Sequence, residues 1–414
     1  MPSPRTAPKA AVLAAAAIVL IAPTAAHGSL RSRLASKMRP AGPASGAYVY
    51  NATKGRAVFR WREKRARILA SNTKLFTTAA ALARYGPQGT LGTEVLGNGV
   101  RAPDGVYNGS LYLRGGGDPT FGSRRFVRGN YGSGATVETL AARIQQAGIT
   151  SVTGRIYGDE SRFDSLRGGP DSGYGTSIWV GPLSALSFNR GLANSSGSAF
   201  QTKPALTAAK RLQAALGRRG VIVGQSARRG RTPAGATVIA RVDSPPMSRL
   251  IRLTNKPSDN FFAEMLLKDL ALQATGRGTT PRGARIAARF ARGLGSRVRM
   301  VDGSGLSRAD RASPYRVARL LLAMLGRQDL ADYYASLSRA GREGTLVRRM
   351  RRGPARGNCR GKTGTLTGVS ALSGYCRARS GDMYAFSILM NRVSVSAARR
   401  LQDGIAQAIA GVRG

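Results

Sequence analysis

Between about residues 88 and 235 the local pattern of this chain changes, and that interruption limits the folds open to it. Glycine and turn residues become frequent there. Strand-like runs shorten to pieces such as Gly109-Ser110-Leu111-Tyr112-Leu113 and Val152-Thr153-Gly154-Arg155-Ile156-Tyr157. Helical patterns are confined to Glu138–Ala147 and Ala205–Leu216. On the N-terminal side, Ala47-Tyr48-Val49-Tyr50 and Ala57-Val58-Phe59-Arg60-Trp61 read as strands around a turn, a hairpin signature. Ser71 to Leu82 follows, Ala-rich and free of Gly and Pro, and reads as a buried helix stopped by Tyr85-Gly86-Pro87. From about 236 the pattern turns helical, with Asn260–Ala274 and Ser313–Leu325 as the strongest helices. Cys359–Thr363, Ala371–Arg377 and Met383–Met390 are strand candidates. A last helix carries an apolar stripe at Ala397, Leu401, Ile405, Ala408 and Val412. The expectation is a discontinuous α/β (α+β) domain, residues 29–87 and 236–414, split by a β-rich insertion at 88–235. A chain of 414 residues, 42% hydrophobic, can bury the cores of two or three such units.

The charge balance is extreme: 65 Lys and Arg, only 10 of them Lys, against 20 Asp and Glu, a net +45. The basic residues are spread along the chain rather than gathered into one arm. Clusters such as Arg348-Arg349 with Arg351-Arg352 lack accompanying aromatic residues. This argues against specific nucleic-acid recognition and for a basic surface that attracts polyanions in general, such as anionic cell-wall polymers or membrane head groups. Residues 1–28 read as an export signal: Arg5 and Lys9, then 13 apolar residues from Ala10 to Ala22, then small residues through Ala26. The run is shorter than the ~20 residues a spanning helix needs. A secreted or extracytoplasmic protein is expected.

The only histidine, His27, lies at that signal boundary. A mature chain without imidazole cannot run a Ser-His-Asp or Cys-His mechanism, nor build a histidine-ligated metal site. With two cysteines, Cys359 and Cys376, no metal centre and no cofactor are expected. Acyl-transfer chemistry must then take its base from Lys, Glu, Asp or Tyr.

Three short motifs supply such groups. Ser71 and Lys74, three apart on a helix, share one face with Cβ atoms about 5–6 Å apart. A partly desolvated lysine loses its proton more easily and can deprotonate the serine. Ser258-Asp259-Asn260 opens the next strong helix. It reads both as an N-cap and as a site triplet, Ser258 relaying a proton and Asn260 binding substrate amides. Lys362-Thr363-Gly364-Thr365 ends a strand candidate; there a substrate strand can add, Gly364 allowing close approach and Lys362 and Thr365 meeting a carboxylate.

In this order the motifs are S-x-x-K, S-D-N and K-T-G, the signature of serine penicillin-recognising enzymes. The chain resembles the D-Ala-D-Ala carboxypeptidase/endopeptidase family of class C low-molecular-mass penicillin-binding proteins, the S13 peptidases. Gly117-Asp118-Pro119-Thr120, Asp302 to Ser307, Gly344-Thr345-Leu346 and Gly361 to Tyr375 resemble further family stretches. The resemblance implies a penicillin-binding/β-lactamase-like transpeptidase domain, with a five-stranded antiparallel sheet flanked by helices and an inserted β-rich domain. It also implies an acyl-enzyme on Ser71 with Lys74 as base, and proton transfer assisted by Ser258. Asn260, Lys362, Thr363 and Thr365 would bind substrate, and the backbone amides of Ser71 and Thr365 would form the oxyanion hole. Peptidoglycan stem peptides would be the substrates and β-lactams the inhibitors. In this frame Cys359 and Cys376 are expected to bridge adjacent strands, the alternative being two free thiols. Two other functions remain open: a β-lactamase or esterase, disfavoured by the insertion and by the expectation that no Glu-x-x-x-Asn deacylation motif lies between the first two motifs, and a non-catalytic wall-binding protein.

Overall fold

A computed structural model describes residues 1–3, 29–194 and 196–414. The expected export signal, His27 included, falls almost wholly outside the described residues.

The centre of the molecule is a six-stranded antiparallel sheet that joins the two ends of the chain. Its order is Ser338–Arg339, Cys359–Leu366, Val369–Arg377, Met383–Asn391, Ser45–Asn51 and Arg56–Trp61. Five of these strands are those read from the sequence. The sixth, Ser338–Arg339, has only two residues, too few to show any alternation. The long inner strands are buried along nearly their whole length because helices cover both faces. Their side chains still sort with period two. Leu372, Cys376, Phe386 and Ile388 pack with Leu34, Met38, Ile405 and Ile409 on one side. Ala371, Tyr375, Ala385 and Leu389 pack with Phe76, Leu320, Leu321 and Met265 on the other. The first side is covered by helices Leu30–Met38 and Val395–Ala410, the second by Pro314–Leu325 and the turn at Ala70–Asn72.

Helix Asn260–Thr275 is buried continuously from Phe261 to Ala271, Glu264, Lys268 and Asp269 included. Packed on every side, it carries no single apolar stripe. Its neighbour Thr73–Tyr85 is buried from Thr73 to Leu82 and ends at Gly86, as the sequence stop signal predicts. Ser71 itself lies just ahead of this helix, in a 3-10 turn over Ala70–Asn72.

The insertion folds around its own core of Val95, Leu111, Leu113, Leu140, Ile144, Ile156, Leu212 and Leu216. A five-stranded mixed sheet, in the order Arg228–Arg229, Ile156–Asp159, Leu111–Arg114, Gly92–Gly97 and Thr237–Asp243, lies beside a smaller four-stranded sheet. Helices Val137–Gln146 and Pro204–Gly217 pack on this core. The chain does not leave the insertion at 236. Thr237–Asp243 pairs antiparallel with Gly92–Gly97, Asp243 opposite Gly92. Leu91 and Ser244 then close the junction through paired hydrogen bonds, Ser244 N to Leu91 O at 2.9 Å and Leu91 N to Ser244 Oγ at 3.0 Å. This strand is exposed at most positions, so no apolar run marks it in the sequence.

Cys359 and Cys376 stand opposite each other on neighbouring strands and are joined as a disulfide. The bridge closes a loop across a separation of 17 residues, for which loop-closure entropy is worth about 3 kcal/mol. The Cys359→Ala/Cys376→Ala double variant is therefore expected to lose roughly that much unfolding free energy, read as a lower denaturant midpoint. Thiol titration of the denatured, unreduced protein should find no reactive sulfur; two reactive thiols would rule the bridge out.

Candidate active site

The nucleophile turn is held in a strained backbone. Ala70 has φ +45°, a left-handed conformation that a non-glycine residue adopts at a cost. Two glycines make room for it. A Cβ on Gly305 would lie 1.9 Å from Ala70 O, and one on Gly364 would lie 2.8 Å from Leu69 O and 3.1 Å from Ser71 N. Two hydrogen bonds then fix the turn: Asn72 Nδ2 donates to Lys362 O at 3.0 Å, and Thr73 Oγ1 to Asp310 Oδ2 at 3.1 Å. The result sets the half-buried Ser71 against the backbone of the Cys359–Leu366 strand.

Lys74 is fully buried one turn further on. Its Nζ donates to Ser71 Oγ at 3.0 Å, Asn260 Oδ1 at 2.7 Å and Ser304 O at 2.6 Å. Loss of solvent pushes its pKa down from 10.5 to about 8, against the opposing pull of Asp302, Glu264, Asp259 and Asp310. These acids, whose roles the sequence reading missed, also build the loop that supplies the Ser304 carbonyl. Glu264 Oε1 accepts from Gly303 N at 3.0 Å and Ser304 N at 2.8 Å, while Asp302 accepts from Gly305 N at 2.6 Å and Ser307 N at 2.7 Å. Burial raises the pKa of Glu264 to about 7 and that of Asp302 well above the carboxylate range. The available signal was their scarcity, since 20 acids in a +45 chain make an acid inside an apolar helix conspicuous.

The second motif divides its labour. Ser258 sits at φ +65° between two helices and accepts from Lys362 Nζ at 2.7 Å. Asp259 is the helix N-cap, accepting from Phe262 N at 3.0 Å, and it pairs with Arg190 of the insertion. Asn260 has two partners within the protein that the sequence did not reveal. Its Oδ1 receives Lys74, and its Nδ2 donates one hydrogen to Trp179 O at 3.0 Å, which leaves the second N–H for a substrate amide carbonyl. Its position is that of a holder of Lys74. Nothing in the sequence pointed to Arg190 or Trp179 as its neighbours, because both lie in the insertion.

On the third motif, Lys362 is fully buried and also donates to Thr363 O at 2.9 Å. Burial, and the nearby Lys74, hold its pKa well below 10.5. Thr363 Oγ1 donates to Thr345 Oγ1 at 2.8 Å, which brings in the Gly344-Thr345-Leu346 stretch. Thr365 is exposed, and its Oγ1 accepts from Arg399 Nη2 at 3.1 Å. Ser71, Ser258, Thr345, Thr363 and Thr365 line one cleft of about 590 Å³, together with Arg348, Arg349 and Arg399.

A Glu-x-x-x-Asn spacing does occur between the first two motifs, at Glu94 and Asn98, contrary to expectation. Glu94 lies on a strand of the insertion with its carboxylate bound by Arg114, Arg162 and Arg241, and it does not line the cleft. Among the described residues no group of three or more His, Cys, Asp or Glu is arranged to hold a metal ion.

Comparison with known proteins agrees with this architecture. The family model described as D-Ala-D-Ala carboxypeptidase 3 (S13) matches residues 27–196 and 189–412. A D-alanyl-D-alanine carboxypeptidase from Actinomadura is 29% identical over 451 residues, covering 89% of this chain and 81% of that protein. Carboxypeptidase DacB of Mycolicibacterium smegmatis is 30% identical over 337 residues, covering 78% of this chain and 71% of that protein. Among solved structures, penicillin-binding protein 4 from Haemophilus influenzae superposes with a TM-score of 0.75 at 20% identity, over 90% of this chain and 97% of that one. Both match segments together span the central sheet, the insertion and all three motifs, and the chain belongs to the D-Ala-D-Ala carboxypeptidase 3 (S13) family.

Proposed function

We propose that the protein is a serine D-Ala-D-Ala carboxypeptidase/endopeptidase acting on peptidoglycan stem peptides and cross-links, and that β-lactams acylate it. The observation that carries this reading is the 3.0 Å contact between Lys74 Nζ and Ser71 Oγ, among described residues that contain no histidine. With a pKa of about 8, roughly a tenth of the Lys74 side chains are neutral at pH 7 and able to accept a proton.

Neutral Lys74 takes the Ser71 hydroxyl proton as Oγ attacks the carbonyl carbon of the penultimate D-alanine. The oxyanion is received by the backbone amides of Ser71 and Thr365. Ser258, oriented by Lys362 Nζ, passes to the leaving nitrogen the proton that Lys74 has taken, which returns Lys74 to the neutral amine. The C–N bond breaks, terminal D-alanine departs as the amine, and the acyl group remains as an ester on Ser71. Water then attacks the ester and gives its proton to Lys74, which regenerates the serine. In a β-lactam the cleaved nitrogen stays tethered to the acyl group and hinders the water, so the ester persists.

Export through the leader read at residues 1–28 would place the enzyme with its substrate. The excess of basic residues, net +45 over the whole chain, favours anionic wall polymers and membrane head groups as its surroundings. The β-lactamase alternative has less support, because Glu94 is held by three arginines away from the cleft.

Labelled penicillin should modify Ser71 and no other residue, as mapped by mass spectrometry, and Ser71→Ala should take no label. Lys74→Ala should slow acylation by about 10²–10⁴-fold, the usual range for loss of a positioned base. Because the reactive form of Lys74 is the neutral one, the acylation rate should climb nearly tenfold per pH unit from pH 6 and level off above about 8. A rate independent of pH between 6 and 9 would remove Lys74 from the role of base.

A further inference from the structure

Arg399 stands on helix Val395–Ala410, whose remaining length covers the far face of the central sheet. Its side chain is exposed and reaches over the end of the Cys359–Leu366 strand to Thr365 Oγ1, at 3.1 Å. It thereby lines the same cleft as Ser71, Ser258 and Thr363. Among the described residues it makes no ion pair. Asp403, one turn further along the helix, is taken by Arg349 at 2.7 Å. Arg349 also reaches Gln402 Oε1 at 3.1 Å and Arg399 O at 3.4 Å. It therefore fixes the backbone beneath Arg399 and withdraws the nearby negative charge.

An arginine held in place beside a nucleophile, with no counter-ion, is suited to receive an anion. The expected carboxylate partner, Lys362, is buried and spends its protons on Ser258 Oγ and Thr363 O. Arg348 lines the cleft too, but among the described residues no hydrogen bond fixes its guanidinium. Thr365 Oγ1 already accepts from Arg399, which leaves its own O–H free to donate. Arginine and threonine together present a cationic fork and a hydroxyl donor at one end of the cleft.

We infer that Arg399 recognises the terminal carboxylate of the substrate, acting with Thr365 to select peptides that end in a free D-amino acid. The inference rests on the reading of the cleft as a D-Ala-D-Ala carboxypeptidase site. A substrate strand laid along Cys359–Leu366 with its scissile carbonyl at Ser71 carries its carboxylate one residue further on, about 3.3 Å along the strand, toward Thr365.

The test uses two acyl-D-alanyl thioesters that differ only in the leaving group, one bearing a carboxylate and the other its methyl ester. In Arg399→Ala, kcat/KM for the carboxylate substrate should fall about 10- to 100-fold, as loss of one or two charge-assisted hydrogen bonds predicts. The ester should change less than about twofold, since it offers no charge to lose. Arg399→Lys should recover part of the loss, and the exposed neighbour Arg400→Ala should show none. Equal losses on both substrates, or no loss on either, overturn the assignment of Arg399 while penicillin labelling of Ser71 in the native protein leaves the catalytic reading standing. If the native protein takes no label at Ser71, the catalytic reading fails, and the assignment fails with it.

Discussion

The rest of this site is organised around one unfavourable event, the removal of the Lys74 ammonium from water. Transfer of a bare ammonium to a protein interior costs several kcal/mol even after relaxation. Here the cost is met from three directions: by the Ser71 hydroxyl, by the Asn260 carbonyl oxygen and by the Ser304 main chain. Each acceptor is in turn set by something else. Ser304 depends on Glu264 and Asp302, and Ser71 on the Ala70 backbone seated against Gly305 and Gly364. The compensation is incomplete, which is why the pKa settles near 8 rather than 10.5. That remainder is what makes the amine available as a base.

Asn260 links this chemistry to the insertion. The same side chain that receives Lys74 donates to Trp179 O, while Asp259 beside it pairs with Arg190. Residues more than 60 positions upstream of the second motif thus brace it. Ile178 and Trp179 are also among the most exposed large apolar side chains, at 79% and 65%. The insertion is therefore part of the site's framework, and its position bears on how firmly Lys74 is held.

What could be read in the sequence follows from how each feature is encoded. Strands such as Val369–Arg377 and Met383–Asn391 are long, apolar and bounded by turns, so their pattern is visible without knowledge of the fold. The three motifs are local, and their spacing places Ser71 beside Lys74 with no tertiary information. Ser338–Arg339 and Thr237–Asp243 failed to register for opposite reasons. One is too short to alternate, and the other is too exposed to stand out. The protein partners of Asn260 were hidden because they come from a loop 81 residues away and from a neighbouring helix, joined by contacts that no local pattern records. Arg399 was hidden for a related reason: in a chain with 55 arginines, one more on a surface helix carries no signal until its neighbours are known.

The central sheet places Ser45–Asn51 directly beside Met383–Asn391, with Ser45 opposite Met390 and Asn51 opposite Tyr384. A chain made N-terminus first completes its hairpin and its serine long before the two strands, Val369–Arg377 and Met383–Asn391, that must lie between the hairpin and the third motif. Contacts of such wide sequence separation close slowly, because the loop entropy is lost before the pairing is gained. The insertion, whose core draws only on residues from Val95 to Val242, is free to form earlier. The catalytic sheet thus cannot close until the strand Met383–Asn391, near the end of the chain, is available, a delay set by topology alone.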